Sequence, residues 1–165
     1  MKSVVIYASR YGNTRRIAEA IADGLRPFGT AQLFAAAEAP KRLPEGTELV
    51  VIGGPTESHG MTEALAEVFD RMEPEALADV CAASFDTRLR WPRWLAGSAG
   101  VGASNKLQSV GARMIAPTES FFVKKDEDAE KGKAPNLEPG ELERATQWAT
   151  ALAEQARSEP AATSH

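Results

Sequence analysis

A chain of 165 residues with 43% apolar residues is sized for one domain with a real core. A net charge of −4 argues against nucleic acid as a main partner, and no segment approaches the ~18–20 continuous apolar residues of a membrane helix. A single cysteine, Cys81, excludes an internal disulfide and any all-cysteine metal site.

Lys2 to Ala8 is a β-branched run that reads as a buried strand and stops at the polar stretch Ser9 to Asn13. The run is too short for a signal peptide and no small-residue cleavage site follows, so a cytoplasmic location is expected. Ile17, Ile21 and Leu25 recur at helical spacing, and Pro27 ends that helix. Gln32–Phe34 is a weak second strand. Glu48–Ile52 is a clear third one, closed by Gly53, Gly54 and Pro55. Thr62 then caps a helix with Leu65, Val68, Phe69 and Met72 on its inner face.

Val80–Phe85 reads as a fourth strand, followed by a long loop, Asp86 to Gly97, with three arginines and two tryptophans. Ser98–Val110 reads as a helix weakened by Gly100 and Gly102. Arg113–Ala116 begins a fifth strand that Ser120–Val123 continues beyond Pro117. Lys124–Lys133 is a charged loop, and Leu142, Ala145, Ala149 and Leu152 mark a last helix. The expected domain covers residues 1–156, with a disordered tail at 157–165.

Strand and helix alternate five times, which predicts an α/β fold: a five-stranded parallel sheet covered on both faces, in the order 2-1-3-4-5. Ligands of such sheets bind beyond the carboxyl ends of the strands, at the switch point between strands 1 and 3. Three loops meet there: Ser9–Thr14, Gly53–Thr62 and Asp86–Gly97. The first joins a strand to a helix N-terminus, whose unpaired N–H groups and partial positive charge suit an anion. Gly12 admits close backbone approach, and Ser9, Asn13 and Thr14 add short polar groups. The plainer reading of this loop is a connection with Thr14 as a helix cap.

Other constellations are absent. Cys81 is followed at the phosphatase spacing by Thr87 instead of arginine, and the acids of a response regulator are missing after strands 1 and 3. Cys81 itself reads as a small core residue. His59 is accompanied only by His165, too few histidines for a metal site. Trp91 and Trp94 suit either stacking on a flat ring or packing under the loop. Arg90 and Arg93 read as a solvated face, and Arg88 is the arginine best placed to touch a ligand.

Residues 5 to 14, with Ile17 and Ala18, resemble the phosphate loop of the flavodoxin family. Residues 48–56 resemble that family's third strand and second flavin loop, while 119–123 and 141–145 are similar to its last strand and helix. The resemblance runs to about Gln155 and implies a flavodoxin-like three-layer sandwich. It implies FMN as cofactor. Ser9, Arg10, Tyr11, Gly12, Asn13 and Thr14 would then surround the phosphate. Pro55, Thr56, Glu57, Ser58, His59 and Gly60 would take one side of the ring, and Asp86, Thr87, Arg88 and Trp91 the other. Flavodoxins with FMN at the switch point are the type example of the doubly wound rule, so this placement is theirs.

Two positions depart from the family pattern. Tyr11 stands where most flavodoxins carry a hydroxyl residue, and a tyrosine there resembles the related FMN-dependent quinone reductases. The third loop lacks the usual small-plus-acidic pattern ending in a stacking tyrosine. The implied function is electron transfer between a reductase and an acceptor protein, with no catalytic residue of the chain's own. The alternatives are an FMN-dependent NAD(P)H or quinone oxidoreductase and a flavin-free binding or regulatory domain.

Overall fold

The β-branched run near the N-terminus lies inside a sheet, where both faces are dry. In the computed structural model, which describes residues 1–56, 60–92, 94, 97–125 and 135–159, Lys2–Tyr7 forms strand β1 between two parallel neighbours. On one side β2 (Thr30–Ala35) pairs from Lys2↔Thr30 to Tyr7↔Ala35. On the other β3 (Leu49–Pro55) pairs from Ser3↔Leu49 to Tyr7↔Gly53. Next comes β4 (Cys81–Arg88), parallel to β3.

The last parallel strand of the expected 2-1-3-4-5 order is split into β5 (Arg113–Met114) and β6 (Glu119–Lys124), both paired with β4. Pro117 lies between them and has no N–H to give a ladder. There Ser84 and Thr118 meet through their hydroxyls at 2.8 Å instead. A two-residue strand, β7 (Asn136–Leu137), adds to β6 in the antiparallel sense. Two residues carry no periodicity, so the sequence shows no sign of it.

Among the described residues, four helices cover the sheet. They are α1 (Asn13–Leu25), α2 (Glu63–Arg71), α3 (Ala99–Ser109) and α4 (Glu141–Ser158). Alternation along the strands divides the core between the two faces. Val5, Val51 and Phe85 pack with Ile17, Ile21 and Leu25 of α1 and Leu152 of α4. Val4, Ile6 and Ile52 pack with Leu65 and Val68 of α2 and Leu107 of α3. Each such side chain stabilises the fold by roughly 1.5–3 kcal/mol through burial alone. Phe85, Phe121 and Trp148 meet edge to face with centroids 5.8 to 6.4 Å apart. A Cβ on Gly53 would stand 2.4 Å from the Phe85 ring, so only glycine lets that aromatic cluster pass beneath the end of β3.

Pro27 follows α1 in a short 3-10 turn, Arg26–Phe28, and Thr62 caps α2 by accepting the Leu65 N–H at 3.3 Å. Cys81 is buried and accepts a hydrogen bond from Arg113 Nη2 at 3.1 Å. One boundary needs correction: β4 runs three residues past its expected end, so Asp86, Thr87 and Arg88 belong to the strand and the loop begins at Leu89. Polar residues at a strand end give no hydrophobic signal. Here β3 and β6 supply their ladder, with Asp86 opposite Gly54 and Ser120. Among the described residues no helix is long and apolar enough to cross a membrane.

Candidate functional site at the carboxyl edge of the sheet

The first loop folds around one hydroxyl. Ser9 Oγ accepts the backbone N–H of Gly12 at 3.1 Å and of Arg15 at 3.4 Å. Gly12 adopts φ 89° and is itself the N-terminal cap of α1, which corrects the reading of Thr14 as cap. A side chain is strained at that φ, whereas glycine adopts it freely. Nothing lies within 4 Å of where a Cβ on Gly12 would be, so the backbone here faces open space. The N–H groups of the first helical turn have no intrahelical acceptor and carry the positive end of the helix dipole.

Thr14 turns away from the helix end and shares a buried hydroxyl–hydroxyl hydrogen bond of 2.7 Å with Thr87 of β4. Asn13 Nδ2 donates to the Pro135 carbonyl at 2.6 Å. Tyr11 is exposed, with the Arg10 guanidinium 5.2 Å from its ring centroid. Thus Ser9, Gly12 and Thr14 are organised by the loop and its neighbours, while Tyr11 projects outward.

The second and third loops are tied through a buried carboxylate. Asp86 Oδ2 accepts from the Thr56 hydroxyl at 3.3 Å, from the Gly100 N–H at 3.3 Å and from the Ser98 hydroxyl. Thr56 Oγ1 in turn accepts the Ala99 N–H at 3.0 Å, and the Thr56 N–H donates to the Thr87 carbonyl at 3.0 Å. Asp86 is fully buried, and its Oδ1 has no protein partner. Pro55 closes β3 beside this network. Glu57, Ser58, His59 and Arg93 lie outside the described residues. Gly60 is described; it does not take the left-handed conformation, and nothing lies within 4 Å of its Cβ position.

Arg88, expected as the arginine closest to a ligand, is engaged by its own loop. Its Nη1 donates to the Gly97 carbonyl at 3.2 Å and its Nη2 to the Trp91 carbonyl at 2.6 Å. It therefore clamps the two ends of the third loop together. Arg90 donates to both carboxylate oxygens of Glu138 at 2.9 and 3.0 Å and lies 4.0 Å over the Phe122 ring. Trp91 and Trp94 are 53% and 85% exposed, so the packing reading of both is overturned.

A cleft of about 670 Å³ opens at this edge, a size that suits a small ligand. Of the expected residues Ser9, Arg10, Gly12 and Pro55 line it, whereas Asp86, Thr87, Arg88 and Trp91 do not. Its far wall is Ala35–Ala37 at the end of β2 and its rim Thr62–Ala64 at the start of α2. Sequence reasoning missed these. The only signal was the run of small residues after the second strand, where a larger side chain would fill the space. Among the described residues no cluster of metal-ligating side chains occurs.

A parallel doubly wound sheet whose first strand leads through a glycine into a helix N-terminus defines a fold class that offers an anion-suited helix end at the carboxyl edge of the sheet. Within that class the match is specific: the flavodoxin family model covers residues 5–148, and the chain belongs to the flavodoxin family. A flavodoxin from the domain Archaea superposes with a TM-score of 0.75 at 18% identity, covering 95% of this chain and 99% of that one. Oxidised flavodoxin 1 from Bacillus cereus gives 0.72 at 19% identity, over 93% and 98%. A flavodoxin, WrbA-like protein from Agrobacterium tumefaciens gives 0.69 at 22% identity, over 96% and 99%. At these identities the likeness is one of fold. No curated protein sequence matches the chain significantly.

Proposed function

We propose that the protein binds FMN with the phosphate at the N-terminus of α1 and serves as an electron carrier between a reductase and an acceptor protein. The observation that supports this most is the left-handed Gly12 at the head of α1, with open space where a side chain would stand. FMN, when bound, supplies the redox chemistry, and the protein supplies binding, orientation and electrostatics. The Ser9 hydroxyl and the N–H groups at the start of α1 would hold the phosphate. Thr14, through Thr87, keys the position of that helix end to β4. Asp86 gathers Thr56, Ser98 and the Gly100 N–H, so Thr56 and the start of α3 are held together before any ligand arrives. Such preorganisation lowers the cost of binding.

Titration of flavin-free protein with FMN tests the reading. Flavin fluorescence should be quenched to a one-to-one end point. Riboflavin should bind on the order of 100-fold more weakly, because it forgoes two or so charge-assisted hydrogen bonds. A carrier should not oxidise NAD(P)H unless a separate reductase is added. Direct NAD(P)H oxidation with quinone turnover would assign the protein to the oxidoreductases instead. Absence of quenching would leave a flavin-free binding domain.

A further inference from the structure

The sheet is finished differently at its two ends. Along the outer side of β6 the Phe122 N–H donates to Glu141 Oε2 at 2.7 Å, and the Ser120 carbonyl accepts from Arg144 Nη2. The Phe122 carbonyl accepts the Glu138 N–H at 2.9 Å, and β7 pairs with Val123 and Lys124. At the opposite end β2 has β1 as its one neighbour in the sheet. The Thr30 N–H donates to the Met1 carbonyl just ahead of β1, so residues 30, 32 and 34 turn their peptide groups toward β1. Ala31, Leu33 and Ala35 turn theirs outward. Among the described residues no hydrogen bond reaches the N–H or C=O of Ala31 and Leu33, or the N–H of Ala35.

Exposed edges are ordinarily blunted by charge, proline or a bulge. Residues 28–37 contain neither a charge nor a proline, although 25% of the chain is charged. The register runs unbroken from Lys2↔Thr30 to Tyr7↔Ala35, so there is no bulge. Leu33 and Phe34 are only half-buried, each at the rim of one half of the core.

We infer that β2 pairs with the β2 of a second copy of the chain, antiparallel about a two-fold axis, joining two sheets into one. Self-complementarity selects this occupant. An antiparallel strand pair is its own two-fold mate, so the outward N–H and C=O groups of one copy meet the same groups of the other. No like charges are opposed, because the strand is neutral. Its nearest charges are Arg26 before it and Glu38 after it, and the antiparallel sense brings opposite signs together at each end. A foreign strand would draw its specificity from pockets for alternate side chains, and the cleft reaches this edge only at Ala35. The inference does not depend on the carrier reading.

Sedimentation of flavin-free and flavin-loaded protein over a wide range of concentrations tests it, with backbone amide exchange measured in parallel. An edge contact of two strands is a small interface, so a dissociation constant on the order of 10 µM is expected. Exchange of the Ala31 and Leu33 amides should slow about tenfold or more as the dimer forms. The Gln32 amide, which faces β1, should be protected at every concentration. Leu33→Pro removes an outward N–H and leaves the ladder to β1 intact, so it should weaken association at least about tenfold. Gln32→Lys, at an exposed position, should weaken it in a salt-dependent way. Unchanged melting of Gln32→Lys at low concentration separates lost pairing from lost fold. The proposal falls if the protein sediments as a monomer throughout, or if a dimer forms that both variants leave intact. It also falls if the Leu33 amide stays unprotected in the dimer, or is equally protected at every dilution.

Discussion

Asp86 is the residue on which the candidate site turns. One oxygen takes two hydroxyls and an N–H, from the second loop and the start of α3. Hydrogen bonds to a charged acceptor contribute about 1.5–3 kcal/mol each, and removing the acceptor strands buried donors. Asp86→Ala should therefore destabilise the protein by roughly 3–5 kcal/mol, read as a lower denaturant midpoint. Amide exchange should quicken first at Thr56 and Gly100, because they lose their common anchor. Replacement of an exposed acid such as Glu63 should change stability by less than about 0.5 kcal/mol.

Among the elements, the junction of β6, β7 and α4 depends on one carboxylate. Burial alone pushes Glu141 up, but the Arg144 guanidinium and the Phe122 N–H hydrogen-bond to it, and Arg144 and Arg90 add their charge, so it is held below the usual carboxylate range. Arg144 also reaches Glu119 at 2.7 Å and the Ser120 carbonyl, and it lies 4.5 Å from the Phe121 ring centroid. A carboxyl depressed in the folded state stabilises it fully above its unfolded value, near 4.3 for glutamate, and loses that contribution as pH falls through the folded value. Glu141→Gln should thus lower stability at neutral pH by about 2 kcal/mol. The gap between wild type and variant should close as thermal melts are taken from pH 6 down into the acid range.

For the molecule as a whole, a ligand that binds only the folded state stabilises it by mass action. FMN at ~100 times its dissociation constant should add roughly 2.7 kcal/mol. In a domain of this size that raises the melting temperature by about 5–10 °C. Gly12→Val should abolish the increase and the yellow colour together. The variant should still melt cooperatively, at a cost of about 1–2 kcal/mol for a side chain held at positive φ. The open space at Gly12 lets the fold accept the branch that bound phosphate would not.

How much of this was legible before the fold was known depends on how far each signal reaches along the chain. The continuous apolar runs Val4–Ile6 and Val50–Ile52, with Ile17, Ile21 and Leu25 at helical spacing, determined the layers, and the alternation of strand and helix left few winding orders. Burial acts residue by residue and leaves its period in the sequence. The sequence marked Gly12 as a point of close backbone approach, but not that Gly12, in place of Thr14, caps α1. The tertiary structure alone decided that Asp86 and Thr87 lie inside β4, that Arg88 closes its own loop, and that Thr14 reaches across to Thr87. It also decided that Ala35–Ala37 wall the cleft and that both loop tryptophans face outward. Most of these depend on a partner tens of residues away, and the Arg88 clamp on partners three and nine residues on. Side chains that are polar, small or aromatic are satisfied equally well by several neighbours, and only the assembled sheet edge determines which one they meet.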